Sequence, residues 1–138
     1  LVFLETIKQN KKVLAICLGM QHVNTVLGGT LTEDIPTLIP GAIDHGKFNG
    51  EHSLHSVHLT KESLLFDVVR SETIQVASTH HQCIKETGKG VKKTAQSDDK
   101  VVEAIELENK NNFIGVQWHP ELLRESKESK KIFSWLKS

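Results

Sequence analysis

The chain has 138 residues, enough for one α/β domain built on one core. Its 17 Lys plus Arg balance 17 Asp plus Glu, so no net field draws it to nucleic acid or to an anionic membrane surface. Two cysteines are too few for the disulfide framework of a small secreted domain, and no apolar run approaches the roughly 18 residues of a membrane span. A cytoplasmic protein in a reducing compartment is therefore expected.

In chain order, Leu1, Leu4 and Ile7 fall at helical spacing, and the stretch 1–9 reads as the tail of a helix. Glu5 and Lys8 follow the opening apolar residues without a small-residue cleavage site, which argues against a signal sequence. After the polar break Asn10-Lys11-Lys12, residues 13–16 form a short apolar run of the kind found in buried strands. Met20, Val23, Val26 and Leu27 then recur at helical spacing, and Gly28-Gly29 stops that helix. The stretch 33–51 holds two of the three prolines with Gly41, Gly46 and Gly50, and reads as a long loop that borders something.

Beyond the loop, Val57 and Leu59 alternate with polar residues as in a strand, Leu64, Leu65 and Val68 suggest a short helix, and Ile74, Val76 and Ser78 alternate again. Residues 101–107 and 113–118 read as two strands joined by the polar turn 109–112. A closing helix carries Ile132, Phe133 and Leu136 on one face. Lys92-Lys93 and the lysines of 127–131 read as solvated faces, while Trp118, Trp135, Phe113 and Phe133 are core candidates.

Two segments carry chemistry. In Val13-Leu14-Ala15-Ile16-Cys17-Leu18-Gly19-Met20-Gln21 a strand runs straight into a cysteine and a helix starts at once, with small residues two before and two after it. That is a nucleophile-elbow pattern with sulfur in place of hydroxyl. The helix N-terminus is expected to favour a thiolate at Cys17, and the Leu18 N–H is placed to donate to an oxyanion. Taken alone, the same pattern also describes a buried structural thiol at a strand end. In Phe113-Ile114-Gly115-Val116-Gln117-Trp118-His119-Pro120-Glu121 a strand is expected to end at His119, and Pro120 fixes the turn that sets Glu121 two residues on. A base and the carboxylate that orients it would then come from one rigid turn. Alone, His119 also fits an ordinary loop histidine, but both segments place their reactive residue at the carboxyl end of a strand, where chemistry collects in α/β sheets.

His52, His55 and His58 are spaced by three, which on a strand sends consecutive members to opposite faces. No metal site is expected from them. Cys83 reads as a small residue at a strand–loop junction.

The blocks Cys17-Leu18-Gly19-Met20-Gln21 and Gly115-Val116-Gln117-Trp118-His119-Pro120-Glu121 resemble the two signature segments of the class I glutamine amidotransferases, in order and spacing. Within that superfamily, the chain is most similar to the γ-glutamyl-γ-aminobutyrate hydrolase group. The segments that carry the likeness are Leu27-Gly28-Gly29-Thr30-Leu31, Asp34-Ile35-Pro36, Thr79-His80-His81-Gln82, Val102-Glu103-Ala104-Ile105-Glu106 and Trp118 ahead of His119. The resemblance implies a single domain over 1–138 with a flavodoxin-like three-layer α/β sandwich and a mostly parallel sheet. It implies Cys17 as nucleophile, His119 as base and then acid, Glu121 as the orienting carboxylate and Leu18 N–H as an oxyanion donor. Gln21, Ser78, Thr79, His80 and His81 are implied to line the pocket for a small γ-glutamyl substrate, with no metal and no organic cofactor.

The chain departs from the family pattern at three places. Leu18 stands where many of these hydrolases carry Arg, and Ala15 where Gly is usual. Family domains also carry further strands and helices before the helix of 1–9, including a glycine whose N–H completes the oxyanion hole. The expectation is thus a domain lacking its N-terminal part, that part belonging to a longer protein or being supplied by a partner or a second copy. An oxyanion donor is worth roughly 3 to 4 kcal/mol in the transition state, so a naturally shortened chain is expected to lose activity. Two alternatives to an independent hydrolase remain in view. One is a glutaminase that passes ammonia to a synthase partner, favoured by an exposed apolar face near Cys17; the other is a catalytically silent relative.

Overall fold

The computed structural model describes residues 2–48 and 51–138. Leu1, expected on the first helix, and Gly50, expected in the long loop, lie outside the described residues. The elements in chain order are α1 (Val2–Lys8), β1 (Val13–Ile16), α2 (Leu18–Val26), β2 (Thr30–Thr32), α3 (Ile35–Leu38), β3 (Lys47–Phe48) and β4 (Glu51–Leu59). Then follow α4 (Leu64–Val69), β5 (Thr73–Ser78), β6 (Cys83–Glu86), β7 (Val91–Ser97), β8 (Val102–Leu107), β9 (Phe113–Val116), a 3₁₀ turn (Pro120–Leu123) and α5 (Lys127–Lys137).

Seven strands form one sheet in the order β1-β9-β8-β7-β4-β3, with β5 paired to β4, and β2 and β6 make a separate antiparallel ribbon. The expected three-layer α/β arrangement is present, but its sheet is mixed rather than mostly parallel. Among the described residues β1 and β9 are the parallel pair, and the other pairings are antiparallel. The reason is connectivity. β7–β8 and β8–β9 are joined by short turns, which reverse the chain, whereas β1 and β9 are about a hundred residues apart, a separation that permits a parallel pairing.

Side-chain alternation along the central strands splits the core between the two faces. On one face Ala15, Ile105 and Phe113 pack with Ile7, Met20 and Val23 from α1 and α2. On the other, Val57, Ile74, Val76, Ala104, Ile114 and Val116 pack with Leu65 and Val69 of α4 and Ile132 of α5. Phe113, Met20, Ile114 and Ile132 are fully buried, each contributing about 1.5–3 kcal/mol relative to exposure. Gly115 is required where α2 crosses the sheet, because an added Cβ would meet Ile105 Cγ1 at 2.8 Å and Met20 Cγ at 2.9 Å. Trp118 and Phe113 are buried as expected, while Trp135 and Phe133 are half-buried.

The helix ends are fixed by side chains. Ser63 Oγ accepts from Phe66 N at 3.0 Å, and the Glu106 carboxylate accepts from Leu64 N and Leu65 N, each at 3.0 Å, at the start of α4. Ser126 Oγ accepts from Ser129 N at the start of α5. The stretch 33–51 is not all loop: it contains α3, started by Asp34, and β3. The periodicity also gives no sign of β6 or β7. β7 carries register shifts around Ala95, and its burial runs Val91 in, Lys92 and Lys93 out, Thr94 and Ala95 both in, so a period of two is never established. The exposed Lys92 and Lys93 do form a solvated face, as expected.

Candidate active site

Cys17 occupies the single residue between β1 and α2, with φ 51° and ψ −107°. A non-glycine residue held there stores on the order of 1–3 kcal/mol, and the neighbouring structure is what maintains it. Cys17 N donates to Val116 O at 2.8 Å, and Cys17 O accepts from Gln21 N in the first turn of α2. The Ala15 departure costs the elbow little. A Cβ built on Gly19 would stand 3.7 Å from Ala15 Cβ, an ordinary contact, so bare Gly19 leaves room beside it.

The parallel register pairs Ile16 with Val116, which sets Cys17 beside Gln117 and brings the continuation of β9 to the same end of the sheet. Gln117 Nε2 donates to Cys17 Sγ at 3.5 Å, and Gln117 Oε1 accepts from Gln21 Nε2 at 3.0 Å. His119 is anchored by its own N–H to Ala77 O at 2.9 Å, at the end of β5. Its ring Nδ1 is hydrogen-bonded to Glu121 Oε1 across the Pro120 turn, which leaves Nε2 as the ring nitrogen available to exchange a proton. The His119 ring and Cys17 Sγ are not hydrogen-bonded to each other.

The expected thiolate preference at Cys17 does not hold. Burial pushes its thiol above the ordinary range, and the carboxylates of Glu121 and Glu103 act in the same direction. The Leu18 N–H and the Gln117 amide oppose this without overcoming it. Desolvation, the largest cause, thus outweighs the two hydrogen-bond donors at the start of the helix and on Gln117.

The residues expected to line the pocket occupy different positions. Gln21 is buried and holds Gln82 O and Gln117 together. Ser78 and His80 turn into the interior, Ser78 Oγ bonding His55 Nε2 at 2.7 Å and His80 Nδ1 donating to Gln82 O at 2.8 Å. Thr79 is half-buried, and His81 is exposed with Nδ1 3.7 Å from Asp34 Oδ1. Leu18 projects its side chain outward, 71% exposed, over an apolar groove of about 420 Å³ lined with Gly19, Gln21, His22, Thr25 and Leu31.

β4 sorts its histidines as the spacing of three requires, His52 and His58 out and His55 in. Reasoning from spacing nevertheless missed the residues that His55 meets. His45, His55, His80 and Glu103 are all buried, with one ligand-type atom from each within 4.8 Å of the others. A charged residue inside the otherwise apolar run Val101–Ile105 was the available signal for Glu103. For Gln117, the signal was a polar residue between the buried Val116 and Trp118.

Residues 1–121 match a family model described as peptidase C26. The chain is 40% identical over 125 residues to Protein NtpR of Enterococcus hirae, covering 88% of this chain and 52% of that protein. It is 32% identical over 122 residues to a GMP synthase [glutamine-hydrolyzing] of Halothermothrix orenii, covering 86% of this chain and 20% of that one. The fold matches the crystal structure of a glutamine amidotransferase from Thermotoga maritima with a TM-score of 0.62 at 17% identity, over 95% of this chain and 54% of that chain. The chain therefore spans about half the length of NtpR and of the Thermotoga structure. No described helix is long and apolar enough to cross a membrane.

Proposed function

The chain belongs to the peptidase C26 family, and from that membership we propose that it hydrolyses a γ-glutamyl amide through Cys17, His119 and Glu121. The observation that carries this reading is the β1–β9 register, which supports a cleft shared by Cys17, the Gln117 amide and the His119–Glu121 pair.

Because burial holds the Cys17 proton on sulfur, the reaction starts from a thiol rather than a standing thiolate. His119 Nε2 takes that proton as the sulfur attacks the γ-carbonyl carbon, and substrate binding closes the distance between ring and sulfur. The carbonyl π electrons move to oxygen, where the Leu18 N–H donates to the oxyanion. Collapse expels the amine, which leaves with the proton from His119, and Cys17 holds a glutamyl thioester. Water then attacks the thioester with His119 as base, releasing glutamate and restoring the thiol. Glu121 keeps Nδ1 protonated and stabilises the imidazolium. Thr79 and His81 form the accessible part of the pocket wall, and Gln21, Ser78 and His80 brace it from behind.

Incubation with a panel of γ-glutamyl amines and glutamine, followed by mass spectrometry, tests the reading. Glutamate release that disappears in Cys17→Ala is expected; activity above one per cent in that variant would exclude the covalent route. A second reading is favoured by the exposed Leu18 and its apolar groove beside the elbow. In it, glutamine is the substrate and a synthase partner covers that groove and takes the ammonia. Glutamine turnover that requires the partner would select this second reading.

A further inference from the structure

We propose that His45, His55, His80 and Glu103 form a buried structural site for a divalent zinc-class metal ion, set behind the 79–82 segment. The argument begins with lone pairs. His80 Nδ1 donates to Gln82 O, a group that only accepts, so neutral His80 turns an unprotonated Nε2 inward, 3.8 Å from Glu103 Oε1. His45 Nε2 lies 2.7 Å from the Asp99 carboxylate, which leaves its Nδ1 facing Glu103 Oε1 at 3.2 Å. His55 Nδ1 faces Ser56 O at 3.2 Å and its Nε2 lies 3.9 Å from the same Glu103 oxygen. Three imidazole nitrogens and a carboxylate thus converge, acceptor against acceptor.

The cluster is otherwise unsatisfied. Among the described residues His45 Nδ1, His80 Nε2 and both Glu103 oxygens are buried with no hydrogen-bond partner. A buried carboxylate left unpaired is strongly disfavoured, so these atoms call for a proton or a cation. A proton between His45 and Glu103 would answer part of the demand but would leave His80 Nε2 unpaired. One divalent ion takes His45 Nδ1, His80 Nε2 and one Glu103 oxygen together with His55 Nε2, and its two charges balance Glu103 and Asp99.

The donor set selects the metal. Three imidazoles and one carboxylate suit zinc and its late transition-metal neighbours, whereas magnesium and calcium take oxygen ligands. The outer shell has the form such sites use, each ring's far nitrogen held by a carboxylate or a main-chain carbonyl. Tetrahedral bonds of about 2.0–2.1 Å give ligand–ligand edges of about 3.4 Å, so the rings move inward by at most about 1 Å to close on an ion. The ion displaces the Ser78 hydroxyl from His55 Nε2, the one hydrogen bond lost. With four protein ligands and no exposed edge the site is structural, tying β4, β8 and the loop before β3 to the segment carrying Thr79 and His81.

Metal analysis of the purified protein, with cobalt substitution after chelator treatment, tests the assignment. One zinc-class ion per chain is expected, with cobalt absorption of tetrahedral intensity and no sulfur charge-transfer band. The signal is expected to persist in Cys17→Ala and in the exposed-histidine variant His52→Ala/His58→Ala, and to weaken at least tenfold in both Glu103→Gln and His55→Gln. If those two variants fail to fold, the wild-type cobalt spectrum and stoichiometry decide. Protein that is metal-free as purified and takes up no cobalt, or a signal lost in Cys17→Ala, overturns the proposal.

Discussion

Glu103 and Glu106 lie three residues apart on β8 and serve opposite faces of the sheet. Glu103 points into the histidine cluster, while Glu106 accepts from Leu64 N and Leu65 N at the start of α4. A strand period of two makes this division unavoidable for residues an odd number apart. The motif Val102-Glu103-Ala104-Ile105-Glu106 is therefore two devices, one on each side of the protein.

Glu106→Ala removes the acceptor for two N–H groups, that of Leu65 buried and that of Leu64 half-buried, and is expected to destabilise the fold by about 1–3 kcal/mol. Urea denaturation should show a lower midpoint with an unchanged slope. Because α4 lies on the face away from Cys17, turnover in native buffer is expected to stay near wild type; a selective loss of kcat without a lower midpoint would contradict this.

Gln117→Ala removes a donor that lowers the Cys17 thiol against burial, so the thiol should rise further. The sign fixes the alkylation profile. Wild-type labelling should increase with pH to an inflection above that of the unfolded chain, and the variant's inflection should lie higher still. Cys83, also raised by burial and 1% exposed, should lag behind Cys17 throughout. A kcat/KM about tenfold lower is expected for the variant, equivalent to ~1.4 kcal/mol. Identical alkylation profiles would show that the 3.5 Å contact has no electrostatic weight.

Glu121→Gln keeps the turn but replaces the carboxylate that holds His119 Nδ1–H. A loss of about 10²–10⁴ in kcat is expected, with KM little changed, because in the proposed mechanism the carboxylate stabilises a charge present only during reaction. Steady-state kinetics on whichever substrate of the proposed panel is turned over decides it, and an equal loss in KM would instead point to a binding role.

Gly115→Ala places a methyl within 3.0 Å of both Ile105 and Met20. A destabilisation of about 1–3 kcal/mol is expected, read as a lower Tm. Since Met20 is on the helix that carries the elbow, Cys17 alkylation should also change; unchanged stability would mean α2 can slide without cost.

The elements that could be read along the chain are those whose cause lies within a few residues. The elbow at Cys17 follows from a strand, one special residue and a helix in succession, and the His119–Glu121 pair from a proline that fixes one turn. Burial patterns in β4 and α5 follow likewise from periods of two and 3.6. The mixed sheet, the bulged β7, the Gln117 contact and the His45–His55–His80–Glu103 cluster depended on which distant segments became neighbours. So did the rise of the Cys17 thiol, because desolvation and the charges of Glu103 and Glu121 act through space and have no local signature.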